Sequence, residues 1–204
     1  MFQIAKSEPD FFTKAKAKVA TPLVSNAWSN QELAKIRANL REYILLEEQN
    51  LLCAYCEKEI DDNPKNSNID HYKTRNLFPQ ETLNYNNLLV SCNSKGRCSD
   101  YKDKYIQTQE EYEQIVNPVD ENPKEYFDYL TTGEIVAQNP KAQYTINIFR
   151  LDHKTLNEQR LQIAKSLAYI PDLSLDEILD ELGNEFCSFI KAVYPKLKSQ
   201  GVQI

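Results

Sequence analysis

Five cysteines set the terms for this chain, at positions 53, 56, 92, 98 and 187. Four fall into two close pairs, Cys53-x2-Cys56 and Cys92-x5-Cys98. The leading segment MFQIAKSEPDFF is broken by Lys6, Glu8 and Asp10 and has no signal-peptide core. Without a secretory signal, paired cysteines are more often metal ligands or catalysts than disulfides. Two thiolate pairs separated by a loop suit tetrahedral Zn²⁺, which binds four soft ligands at about 2.3 Å. The first spacing is typical; the second is wide, and Gly96 helps that loop to turn. A redox Cys-x2-Cys is the competing reading, but it leaves the second pair unexplained. Four protein ligands close the zinc shell, so the predicted role of Cys53, Cys56, Cys92 and Cys98 is structural. Cys187, in the apolar pattern LGNEFCSFIKAV, is expected to be a small buried hydrophobe.

A scaffold of 204 residues is long enough to bury a core of its own, and its 41% hydrophobic and 26% charged residues match ordinary globular chains. We expect one domain over 1–204. No run of about 18 apolar residues occurs, which excludes a spanning helix, and the expected location is cytoplasmic with no membrane partner. The net charge is −6, and residues 105–204 alone carry 16 Asp/Glu against 9 Lys/Arg. An acidic chain lacks the basic footprint of a strong nucleic-acid binder. Either a partner supplies the remaining grip on a polyanion, or binding is brief.

The segment between the cysteine pairs carries the chemistry. It holds Asp70-His71 and then Asn86-Asn87-Leu88-Leu89-Val90. A carboxylate directly before a histidine can hold a divalent metal while the imidazole faces a water. Histidine is the side chain best suited to take a proton near neutral pH. An asparagine can fix a loop by donating and accepting at once. Past Cys98, Ser99-Asp100-Tyr101-Lys102 reads as the first turn of a helix. A second oxygen ligand there could close a metal site with Asp70, and hard oxygen ligands suit Mg²⁺ or Mn²⁺. An isolated Asp-His pair is usually an ordinary turn; flanked by two thiolate pairs and followed by Asn-Leu, it carries more weight.

Together, Cys53-x2-Cys56, Asp70-His71, Asn87-Leu88, Cys92 and Cys98 resemble the HNH endonucleases. Further along, NPVDENPKEYFDYLTTGEIVA (117–137) and YTINIFRLDHKTLNEQR (144–160) resemble the PtuB-type HNH nuclease subunit of Septu and retron-linked antiphage defence systems. The resemblance covers roughly residues 50–165. It implies an α+β fold: a ββα-metal (HNH/His-Me finger) core over 50–105 with a four-cysteine zinc knuckle, flanked by N- and C-terminal helices, the extension 106–204 being mostly helical. Asp70 would be the first metal ligand, His71 the general base, and Asn87 the residue that holds the histidine loop, with Asn86 as its substitute. The third position follows the last cysteine, where Ser99 and Asp100 depart from the usual pattern. Asp100 is preferred because a carboxylate binds Mg²⁺ better than a hydroxyl. The implied activity is metal-dependent cleavage of nucleic acid, DNA more than tRNA or other RNA, in antiphage defence with a companion ATPase. The alternative is a non-catalytic zinc module that binds nucleic acid or a partner protein. Lys73, Arg75, Lys95, Arg97, Lys102 and Lys104 are candidate phosphate contacts, with Tyr72 or Tyr101 stacking or packing nearby.

The remainder reads as scaffold or docking surface. Ser29-Asn30-Gln31-Glu32 fits a capping box ahead of a helix over roughly 30–49 that places Leu33, Ile36, Leu40, Tyr43 and Ile44 on one face. Trp28 is expected to staple that helix. Further helices are predicted near 99–115, at 154–169 ending before Pro171, and at 174–193 stopping before Pro195, with a hairpin over 125–136. His153 is assigned a capping or surface role, and the acidic C-terminal helices are the candidate partner surface.

Overall fold

The computed structural model describes residues 1–170 and 173–199; Pro171 lies outside them. Among these, seven α-helices and two small antiparallel sheets make an α+β fold. No helix among them is long and apolar enough to cross a membrane.

The N-terminal part is helical. A short helix α1 spans Asp10–Lys16 and packs on α2, Gln31–Tyr43. The α2 cap is Asn30, one residue later than the predicted Ser29, and its side chain accepts from the Glu32 N–H at 2.8 Å. Beyond Tyr43 the helix loosens into a π-turn over Ile44–Glu48, so the predicted stretch to 49 is helical but not uniformly α. Leu33, Leu40 and Ile44 are buried, and Ile36 and Tyr43 pack against that core as partly buried residues.

The centre is a strand–strand–helix unit. Strand β1 covers Ser67–His71 and pairs antiparallel with β2, Leu88–Cys92, in the register Ser67↔Cys92 to His71↔Leu88. Every residue of β2 is buried, as its run LLVSC demands. Helix α3, Cys98–Tyr105, follows directly and packs on β2. It ends well short of 115; a separate 3₁₀ turn occupies Glu110–Gln114.

The C-terminal part wraps this unit. Strands β3 (Phe127–Tyr129) and β4 (Ile135–Ala137) form the predicted hairpin. Its Gly133 sits at φ +94°, and a Cβ there would meet the Asn157 carbonyl oxygen at 2.3 Å, so only glycine fits. Helix α4, Pro140–Phe149, was not foreseen, although Asn139 capping Ala142 and Pro140 at its first position are start signals. Helix α5 covers Lys154–Ala168, and the His153 ring accepts from the Thr155 N–H, the capping role expected of it. The single helix predicted over 174–193 is two: α6, Leu175–Leu182, and α7, Cys187–Ser199. Gly183 at φ +76° and Phe186 at φ +56° break the run, and α7 then continues through Pro195. Buried apolar residues from Met1 to Tyr194 form one connected cluster.

Candidate active site and zinc site

The zinc end is assembled from local turns. Leu52 and Glu59 bridge across the first cysteine pair, and the Cys53 N–H donates to the Lys58 carbonyl at 2.8 Å. The Ala54 N–H donates to Val90 at 3.0 Å, which fastens this turn to β2. Cys92 ends β2 and Cys98 opens α3, its left-handed φ of +53° turning the chain after Gly96. All four sulfurs are buried and lie within 4.8 Å of one another. Cys53–Cys98 and Cys56–Cys92 are each 3.9 Å apart. Tetrahedral ligands at about 2.3 Å from an ion stand about 3.8 Å from each other. The Cys92 N–H also points at the Cys53 sulfur at 3.3 Å, as it would at a thiolate. The cluster therefore fits zinc.

Glu57 ties this turn to the C-terminal helices. Its buried carboxylate accepts from the Ser188 N–H at 2.8 Å, from the Cys187 thiol, and from the Met1 ammonium. Burial alone would push its carboxyl up; the ammonium and the N–H outweigh this and hold it below the usual range. Cys187 is half-buried beside it, and burial pushes its thiol up to about 12, so it is an inert packing residue.

The other end of the same ladder carries Asp70 and His71. Both line a cleft of about 350 Å³, together with Asn68, Arg75 and Asp103. His71 is only 7% exposed. Its Nε2 meets the Thr82 carbonyl oxygen at 3.0 Å. A carbonyl only accepts, so Nε2 carries the proton and Nδ1 keeps its lone pair. Burial pushes the ring down to about 3; the Thr82 carbonyl opposes this, and Arg75, Lys102 and Arg37 reinforce it. The imidazole is thus neutral. Trp28 packs against it edge to face at 4.9 Å, so the indole foreseen as a helix staple walls the histidine.

Asp70 is buried, and burial pushes its carboxyl up to about 6 although Lys102 opposes. Its Oδ2 accepts from the Tyr55 hydroxyl and lies 3.3 Å from the Lys102 ammonium. Among the described residues its Oδ1 takes no hydrogen bond. Lys102 has no exposed surface; it donates to the His71 and Tyr72 carbonyls and pairs with Asp103 at 2.7 Å. It is a buried clamp between β1 and α3, and the expected phosphate contact is corrected on that ground. Tyr72 is likewise buried, against Tyr112, and is no stacking platform.

Asn87 holds the loop after β1. Its amide donates to Lys73 and Glu81 carbonyls at 3.0 and 3.1 Å, and its oxygen accepts from the Lys73 N–H at 2.7 Å. Asn86 is exposed at the surface. Asp100 does not line the cleft. Its carboxylate accepts from the Gly96 N–H at 2.7 Å and pairs with Lys104 at 2.8 Å. One turn on, Asp103 does line it. Ser99 is buried, its N–H on the Ser91 hydroxyl at 3.4 Å. Sequence reasoning missed Trp28, Tyr55, Thr82 and Asp103. Of these only Asp103 carried a signal, since it stands four residues after Ser99 on the same helix face.

Similarity searches find Septu protein PtuB of Bacillus thuringiensis, 29% identical over 111 residues, 53% of this chain and 39% of that protein. Over about half its length the chain is a distant homologue of Septu protein PtuB. A second Septu protein PtuB, of Bacillus mycoides (strain KBAB4), is 24% identical over 158 residues, 64% of this chain and 51% of its own. The chain therefore spans only about half, or less, of these PtuB relatives. No protein-family model matches it.

Proposed function

We propose that the chain is a metal-dependent endonuclease of the HNH type, cutting DNA in preference to RNA as the effector of an antiphage defence system with a companion ATPase. The observation that carries this reading is that Asp70 and His71 line one open cleft, at the far end of a ladder whose near end gathers four cysteines fit for zinc. His71 takes the proton of the attacking water at Nδ1, while the Thr82 carbonyl keeps the opposite nitrogen protonated and the ring aimed. Trp28 shields one side of the ring from solvent. Arg75, on the cleft wall, is available to a phosphate oxygen.

The donor set fits a hard divalent ion: two carboxylates, Asp70 and Asp103, share the cleft with an imidazole. Asp103 is preferred to Asp100 because it lines the cleft and Asp100 does not; the Asp103 Oδ1 pairs with the Lys102 ammonium at 2.7 Å, which a bound ion would have to share. When bound, Mg²⁺ or Mn²⁺ supplies Lewis-acid stabilisation of charge on the scissile phosphate. The defence role and the ATPase rest on the homology with Septu protein PtuB. The acidic balance of the chain supports the need for a partner to deliver nucleic acid.

The test is cleavage of plasmid, single-stranded DNA and tRNA with Mg²⁺ or Mn²⁺, with and without the product of the neighbouring gene. Cleavage that disappears in His71→Ala at unchanged zinc content supports the reading. Full activity in that variant removes His71 from the mechanism. No cleavage of any substrate, with zinc bound, favours a non-catalytic zinc module.

A further inference from the structure

A second concave site lies at the zinc end of the ladder. It is a cleft of about 220 Å³ whose walls include Lys58, Glu59, Lys65, Asn93, Ser94 and Arg97. Three cations thus face one carboxylate in a chain that is acidic as a whole. Among the described residues, none of the three cations has a carboxylate partner. Arg97 is the informative one, because it is only 9% exposed. Its guanidinium touches only hydroxyls, Thr155 Oγ1 at 3.0 Å and Ser94 Oγ at 2.8 Å, and its buried Nε has no partner. A buried charge without a counter-charge is costly, and natural sites relieve that cost with an ion pair or a ligand.

The position of this cleft is as telling as its charge. It flanks Asn66 and Cys92, at the opposite end of the β1–β2 ladder from Asp70 and His71. The two clefts share a polar seam: Asn68, on the wall of the first, donates to Asn93, on the wall of the second, at 2.7 Å. Four residues of strand separate Asn66 from Asp70, about 13 Å at 3.3 Å per residue.

We propose that Lys58, Lys65 and Arg97 form a phosphodiester subsite on the zinc knuckle, which grips the nucleic-acid backbone a short way along the strand from the cleaved bond. It rests on the nuclease reading above and adds to it the register of the substrate. The zinc then does more than brace the fold: it fixes the distance between the anchoring phosphate and the reacting one. Because the contacts are to phosphate, the subsite holds strands of any sequence.

The experiment uses the full chain with His71→Ala to prevent cleavage, a fluorescein-labelled duplex DNA of 30 base pairs, and a NaCl series. Lys58→Ala/Lys65→Ala should weaken binding at least tenfold at low salt. It should also flatten the slope of log K against log [NaCl] by about 2, close to one unit per lost phosphate contact. Lys58→Arg/Lys65→Arg should restore the slope. Lys35→Ala/Lys165→Ala, on remote helices, should leave it as in the parent, and zinc content should be equal in all. An unchanged slope in the alanine pair overturns the subsite, and so does an equal loss in the remote pair. Wild-type cleavage is read in parallel. Cleavage with an unchanged slope sinks the subsite alone, whereas absence of both cleavage and salt-dependent binding sinks the nuclease reading with it.

Discussion

The two ends of the β1–β2 ladder are built on opposite principles. At the zinc end, four sulfurs from three pieces of chain converge within 4.8 Å, a spacing that one ion can hold. At the cleft end, Asp70 and His71 are held by groups from Trp28 to Lys102: an indole, a phenol, a backbone carbonyl and a buried ammonium. The first end is a small knot that a metal would tie. The second is a product of tertiary packing. A zinc frame can therefore tolerate sequence drift around it, while the cleft depends on the whole core being in register.

The largest effect should come from the zinc itself. Structural zinc contributes about 10–16 kcal/mol in finger peptides. That is comparable with the whole stability of an ordinary domain, about 5–15 kcal/mol. Cys92→Ser, or strong chelation, should therefore abolish the near-UV circular dichroism signal of the aromatic core and disorder both ends together. A metal-free protein with a native spectrum would show that the ladder stands without the ion.

Next comes Glu57, which joins the knuckle to α7. Removing one partner of a buried ion pair costs about 3–5 kcal/mol, and Glu57→Gln should lower stability by that order in urea titrations. The pH dependence has a definite sign. The native carboxyl is held below its ordinary value of 4.5. Its contribution is complete above that value and is lost as the pH falls through the lowered native one. The gap between wild type and Glu57→Gln should be full at pH 7 and shrink below about pH 4.5. A gap that widens in acid would mean the carboxylate is unpaired.

Asn87→Ala removes three hydrogen bonds from the loop after β1. Leaving buried backbone groups unpaired costs about 1–3 kcal/mol. The loss should appear in cleavage rate as well as in melting temperature, because the same loop carries the chain away from His71. The smallest effect separates two acids on α3. Asp103→Asn should impair Mg²⁺-dependent cleavage, and Asp100→Asn should leave it close to wild type with stability altered by about 0.5 kcal/mol or less. The reverse result would return the third metal position to Asp100.

The same contrast explains what was legible. Cys53, Cys56, Cys92 and Cys98 announce themselves by spacing, since zinc ligands supplied by tight turns leave a fixed interval in the chain. The β3–β4 hairpin and the His153 cap were readable for the same reason: both are local. Trp28 and Tyr55 were not, because nothing near Trp28 says that its indole will meet an imidazole 43 positions away. Lys102 misled because a lysine is usually exposed, and only the tertiary structure reveals the two carboxylates and two carbonyls that bury it. The helix predicted across 174–193 failed at Gly183, where local apolar periodicity continued through a residue that the chain uses to turn.

The claim on which the rest depends is that the frame delivers a neutral His71 with its lone pair on Nδ1. Long-range ¹⁵N–¹H correlation spectra of the zinc-loaded protein, with the ring nitrogens labelled, read this directly. The account predicts a neutral ring protonated at Nε2 at pH 7 and still neutral at pH 5, since burial holds its pKa at about 3. A ring that is cationic at pH 5, or one that carries its proton on Nδ1, would contradict it.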